Sequence, residues 1–164
     1  MGLLGADEPP PVRVLRPESP AALLLTADHA GNRIPRALGD LGVSPAGRQR
    51  HIAWDIGIAA VTETMSGLLD ATAVLQTYSR LVIDCNREPG HPTSIPPVSE
   101  VTPITGNENL SDTQRASRRR AIFDPYHAAI AGILDARTAR RTILVAMHSF
   151  TPVFKGVART VEVG

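Results

Sequence analysis

The stretch LLLTADHAGNRIP, Leu23 to Pro35, starts as an apolar run and turns polar at Asp28-His29. Flanked by turn residues, Ala22 to Thr26 reads as a short strand buried on both faces of a sheet. Asp28 and His29 therefore fall just past its carboxyl end. Gly31 lets the backbone turn closely there, and Pro35 helps end the loop. Ligands of open α/β sheets bind outside the carboxyl ends of the strands, so a rigid strand ending in an acid and an imidazole aims chemistry at a pocket.

Outward from this strand, helices and strands alternate. Pro9, Pro10, Pro11, Pro17 and Pro20 keep most of residues 1–20 out of a central strand or a helix interior, leaving room for a brief edge strand at Val12 to Leu15. Residues 1–20 thus read as a flexible proline-rich segment and residues 21–164 as one domain. Short helical pieces fit Arg36 to Leu41 and Pro45 to His51. Ile58, Val61, Met65, Leu68 and Leu69 recur at the spacing of an amphipathic helix. Ala73 to Tyr78 and Leu81 to Cys85 read as strands separated by Ser79-Arg80. The proline-rich run from Glu88 to Leu110 reads as a long irregular loop folded over a pocket. Ser111-Asp112-Thr113-Gln114 is a capping box that opens a helix. That helix breaks or kinks at Asp124-Pro125, an N-cap and N1 pair, and continues through Ile130, Ile133 and Leu134 to about Ala139. Thr142 to Met147 is the last clear strand. Arg118-Arg119-Arg120 reads as a solvated helix face, and Trp54 and Phe150 as core or pocket-wall residues. The alternation implies an α/β fold, three-layer α/β/α, with a mixed, largely parallel sheet.

Length and composition bound the class. A chain of 164 residues fits a single domain. Aromatic residues make up only 4% against 43% apolar, so the core is aliphatic. Lys+Arg 17 against Asp+Glu 16 leaves a formal charge of +1, which removes the electrostatic case for nucleic acid. No apolar run approaches the roughly 20 residues that span a bilayer, and the acidic MGLLGADEPPP does not fit a signal peptide. No membrane partner and a cytoplasmic location are therefore expected. Cys85, the only cysteine, forms no internal disulfide.

Each of three apolar runs ends in reactive groups: Asp28-His29, Asp84 with Asn86-Arg87, and His148-Ser149. Two histidines and a carboxylate from separate strands suit zinc, whose hydrolytic sites combine imidazole nitrogen and carboxylate oxygen with a position open to water.

DHAGNRIP, HIAWDIG, YSRLVIDCNR and MHSFTPV, in this order, resemble the N-formylglutamate amidohydrolase family, which is similar in fold to zinc carboxypeptidases and aspartoacylase-type deacylases. The resemblance runs from about Leu23 to about Arg159. It implies a phosphorylase/hydrolase-like fold and a metal-dependent hydrolase that cleaves the formyl amide of N-formyl-L-glutamate to formate and L-glutamate, in histidine breakdown. The implied cofactor is Zn2+ or another divalent metal, and the implied partner a small acidic substrate. In the wider superfamily an early His-x-x-Glu pair and a later His bind zinc, while an Asn-Arg pair grips the substrate carboxylate. Carried over, His29 and His148 are metal ligands, and Asn86 and Arg87 hold substrate. Asn32 stands where the glutamate would be, and a neutral amide is a poor zinc ligand. Asp55 or Asp28 supplies the charge instead, with Asp55 taken as the third ligand. Arg80 polarises the formyl oxygen as a catalytic group or takes a second substrate carboxylate. Ordinary roles compete: Asp55 just before a helix is equally an N-cap, Arg87 equally a bridge to Asp84, and Arg80 equally a solvated turn arginine.

Family members continue beyond GVAR, so the chain reads as an incomplete copy of the family fold. The remainder is expected to carry a glutamate general base. An exposed sheet edge would then invite self-association. The alternative function is a non-catalytic truncated member that binds small carboxylates or partners. A third reading, Cys85 as a nucleophile, is disfavoured by the place of Cys85 on a buried strand without an activating neighbour.

Overall fold

The computed structural model describes residues 2–154 and 156–160. In chain order the strands are β1 (Val12–Leu15), β2 (Leu23–Ala27), β3 (Thr72–Gln76), the short β4 (Val98–Ser99) and β5 (Thr102–Pro103), β6 (Ile143–Ala146), and the short β7 (Val153–Phe154) and β8 (Val157–Ala158). The helices are α1 (Pro45–Arg48), α2 (Ile58–Leu68), α3 (Asp112–Arg118) and α4 (Asp124–Ala136).

The apolar run at residues 23–27 forms β2, inside a four-stranded sheet of order β1-β3-β2-β6. β2 runs parallel to both β3 and β6, and β1 pairs antiparallel with β3 along the far edge. Side chains alternate across the sheet as the period of a strand requires. Leu24 and Val74 pack on one face with Ile122, Tyr126 and Ile133. Leu25, Ala27, Ala73 and Leu75 pack on the other with Ile58 and Met65 of α2. The sheet is thus covered on both sides, which makes the fold the three-layer α/β/α arrangement. Burying leucines as completely as Leu24, Leu25 and Leu75 stabilises the fold by about 1.5–3 kcal/mol each. β6 is different: it is an edge, and its Ile143 and Leu144 are 45% and 51% exposed.

The proline-rich N-terminal residues lie against this body. β1 extends the sheet, the Tyr78 hydroxyl donates to the Pro9 carbonyl at 2.8 Å, and Leu3 and Leu4 pack on the core.

Leu81–Cys85, expected as a strand, is a buried irregular segment. Its backbone groups pair with side chains and a loop rather than with a ladder. Asn107 donates to the Leu81 carbonyl, Arg118 to the Val82 carbonyl and Ser94 accepts from the Asp84 N–H, while His127 Nε2 lies 2.9 Å from the Cys85 carbonyl. Such pairing makes burial of a non-repetitive backbone tolerable. The same bonds correct the reading of Arg118 as solvated. It is 2% exposed, and its guanidinium also holds the Gly106 carbonyl and the Asn107 side chain.

Helix α2 forms where its apolar spacing places it but buries a different stripe. Ile58, Thr62 and Ser66 face the sheet, whereas Val61, Leu68 and Leu69 are exposed. The Ser66 hydroxyl closes the end of the helix on the Ala71 carbonyl at 2.6 Å.

The capping box of Ser111 and Gln114 is present. At Asp124-Pro125 the helix is irregular rather than broken, and Phe123, not Asp124, is the N-cap of α4. A π-turn at Arg119–Phe123 widens the helix so that Pro125 enters the first turn of α4, where a missing N–H costs little. α4 ends at Ala136, short of the expected Ala139. The long loop carries the β4–β5 hairpin and a 3-10 turn at Thr105–Asn107.

Candidate metal centre

His29 follows the carboxyl end of β2, and its carbonyl accepts the Asp55 N–H at 3.0 Å, which fixes the Trp54-Asp55 turn beside the strand end. Two residues before Asp55, the Ala53 carbonyl accepts both the Ser79 hydroxyl and the Arg80 N–H, which brings the turn after β3 to the same place. Gly31 makes this approach feasible, since a Cβ there would stand 2.0 Å from the Thr77 carbonyl oxygen. On the other side, β6 pairs with β2 with Thr26 opposite Ala146, so His148 emerges level with Asp28.

Three strand-end segments therefore converge. Among the described residues, His29, Asp55 and His148 offer ligand atoms that all lie within 4.8 Å of one another. His29 and Asp55 are buried, whereas the His148 side chain is 32% exposed. Asp55 Oδ1 stands 3.5 Å from His29 Nδ1, and Asp55 Oδ2 stands 3.0 Å from His148 Nδ1 and accepts the Ser149 N–H at 3.2 Å. Asp55 is not the N-cap of α2, a position taken by Gly57 at φ 82°.

The donor set suits a divalent metal. His29 Nε2 lies 2.7 Å from Asp84 Oδ1, and its Nδ1 is buried without a hydrogen-bond partner among the described residues. A carboxylate on one ring nitrogen fixes the tautomer that leaves the other nitrogen free to ligate. Two imidazoles and one carboxylate match the ligand types of zinc sites that keep one position open. Asn32 takes no part: its amide donates to the Arg48 carbonyl and to Gln49, and it lines another cavity. Asp28 also stands outside the cluster.

Burial by itself would lower the His29 pKa, but the facing carboxylates of Asp55 and Asp84 outweigh it and leave the group raised. Burial would raise both acids. The facing histidines and Arg80 reverse this, holding Asp84 at about 2 and Asp55 well below the usual carboxylate range. Arg80 spans the pair, donating to Asp84 Oδ2 at 2.7 Å and to Asp55 Oδ1 at 3.5 Å.

Arg80 also lines a cavity of about 430 Å³ with Arg87, His51, Thr93 and Ser99. Arg87 is exposed and donates to the Asn86 carbonyl; it does not bridge to Asp84. Asn86 is exposed, and its backbone N–H donates to Asp84 Oδ1 at 2.9 Å. Glu100, at φ 54°, holds one wall of this cavity through Arg50 at 2.9 Å and His51 at 3.0 Å. Cys85 lies apart from this chemistry: burial pushes its thiol up to about 12, so it stays protonated.

The family model for N-formylglutamate amidohydrolase matches residues 21–163. The chain belongs to the N-formylglutamate amidohydrolase family. A gene product of Agrobacterium tumefaciens of known crystal structure is 38% identical and superposes with a TM-score of 0.95, covering 98% of this chain and 64% of its own. The N-formylglutamate amidohydrolase of Ralstonia eutropha superposes with a TM-score of 0.61 at 23% identity, over 85% of this chain and 57% of its own, a likeness of fold alone. The chain thus spans less than two thirds of the length of either neighbour. No curated protein matches the sequence. Among the described residues no helix is long and apolar enough to cross a membrane.

Within this family member the residue that sequence reasoning undervalued is Asp84. It was visible at the end of an apolar run and as a partner for Arg87, but was given no role at the centre, where it holds His29 and Arg80. The spacing of Arg80 and Asp84, i to i+4, was the available signal, but reading Leu81–Cys85 as a strand placed those two side chains on one sheet face without making them neighbours.

Proposed function

We propose that this family member holds Zn2+, or another divalent metal, on His29, Asp55 and His148 and hydrolyses a small N-acyl acidic amino acid, N-formyl-L-glutamate giving formate and L-glutamate. The observation that supports this reading best is the His29 ring, with Nε2 held by Asp84 and a buried Nδ1 that has no hydrogen-bond partner. A bound metal at such a site lowers the pKa of water and polarises a carbonyl.

The chain's own residues supply orientation. Asp84 locks the His29 ring, and Arg80 ties Asp84 to Asp55 so that the two acids stay ionised. Arg80 and Arg87 share the cavity of about 430 Å³, which gives a dicarboxylate two guanidinium partners. A planar guanidinium binds a carboxylate bidentately, so Arg87 grips one substrate carboxylate, with Asn86 beside it, while Arg80 faces the second carboxylate or the amide oxygen.

The test is formate release from N-formyl-L-glutamate by the zinc-loaded chain, alongside metal content. Turnover that His29→Ala and His148→Ala abolish together with bound zinc is the expected result. Bound zinc unaffected by either change would remove the ligand assignment, and zinc binding without turnover would favour the non-catalytic, carboxylate-binding alternative.

A further inference from the structure

The two histidines of the centre differ in what holds their rings. His29 is packed inside the fold, but His148 follows an exposed edge strand and has no comparable packing. Its Nδ1 faces Asp55 at 3.0 Å, and its Nε2 faces Asp28 Oδ2 at 3.7 Å. The other oxygen of Asp28 accepts the Tyr126 hydroxyl at 2.5 Å. Tyr126 projects from the first turn of α4, is 0% exposed, and lies in the core beneath the sheet. A buried phenol needs a hydrogen-bond partner, and here it spends that bond on a carboxylate whose free oxygen points at a candidate metal ligand.

We propose that Asp28, anchored by the Tyr126 hydroxyl, is the positioning residue that orients the His148 ring for the metal, the counterpart on the edge strand of what Asp84 does for His29. The inference rests on the metal reading above. With His148 Nδ1 turned to the centre, Nε2–H is left facing Asp28, and a carboxylate there fixes the ring and increases its basicity as a ligand. Asp28 is held by an element of the opposite layer, so the orientation of an exposed edge residue is set from the protein core.

The experiment compares the wild type with Asp28→Ala, Asp28→Asn and Tyr126→Phe, using His148→Ala as a reference. Two readouts are taken: zinc affinity by competition with a chromophoric chelator, and the ring nitrogen signals of His148 in the metal-free protein by NMR. Asp28→Ala is expected to weaken zinc binding about tenfold or more, with Tyr126→Phe and Asp28→Asn weakening it less. The His148 Nε2 signal should shift in the metal-free Asp28→Ala and Tyr126→Phe proteins. If both variants only melt at lower temperature while the His148 signals and zinc affinity match the wild type, their role is structural and the proposal is overturned. If the wild type binds no zinc but the His148 signals still move, the metal reading falls while the orienting role stands.

Discussion

The inner and outer halves of the candidate centre present the same side chain on different supports. His29 is 1% exposed and hangs from β2, which is paired on both sides and covered on both faces. His148 follows β6, which among the described residues is paired on one side only and carries half-exposed apolar residues. Packing therefore fixes the His29 ring, whereas the His148 ring is less packed and faces two carboxylates, Asp55 and Asp28. A site can be assembled from one rigid and one lightly supported strand end if the polar contacts compensate for missing packing.

The largest expected difference between the halves is in stability. Leu24→Ala on β2 should cost about 2–5 kcal/mol in chemical denaturation, because it opens a cavity at a fully buried position. Leu144→Ala, its direct partner on β6, should stay within about 0.5 kcal/mol. Equal costs would show that β6 is as well supported as β2.

Next in size is Asp84→Asn, expected to lower zinc affinity about 10–100-fold by calorimetric titration with little change in fold. The change keeps the shape of the side chain but removes the charge that fixes the His29 tautomer. An unchanged affinity would mean that packing alone positions the ring.

The smallest effect is on pH dependence. The raised pKa of His29 gives the metal-free protein a stabilising contribution that is full below pH 6.5 and lost as pH rises through the folded value. The lowered pKa of Asp84 contributes stability that is present above 3.8 and lost as pH falls through about 2. Melting temperature without metal should therefore rise modestly from pH 8 to pH 6, whereas with zinc it should fall over the same range, because protons compete for the His29 nitrogen. The same trend with and without zinc would place the metal elsewhere.

Much of this arrangement was legible in the sequence for a specific reason. Apolar runs that end in Asp28-His29 and His148-Ser149 are local signals, and the rule that parallel strands gather ligands at their carboxyl ends turns them into one site. Asp55 was visible as a candidate but not distinguishable from an N-cap, because only the fold shows that Gly57 caps α2 and that the Asp55 carboxylate turns to the histidines. Leu81–Cys85 misled because an apolar run signals burial, not hydrogen-bond pattern. The partners that satisfy its backbone, Asn107, Arg118 and His127, lie between 26 and 42 residues away in the chain. For the same reason Arg118 looked like one of three solvated arginines. Tyr126 and Asp28 are 98 residues apart, and nothing local links a helical tyrosine to a strand end.

The proposed metal centre is tested most directly by anomalous diffraction at the zinc edge from crystals of the chain grown with zinc. The expected result is a single strong peak within bonding distance of His29 Nδ1, an Asp55 carboxylate oxygen and a His148 ring nitrogen, with Asp84 still on His29 Nε2. Zinc bound at another place, or held by His29 Nε2 with Asp84 displaced, would contradict it.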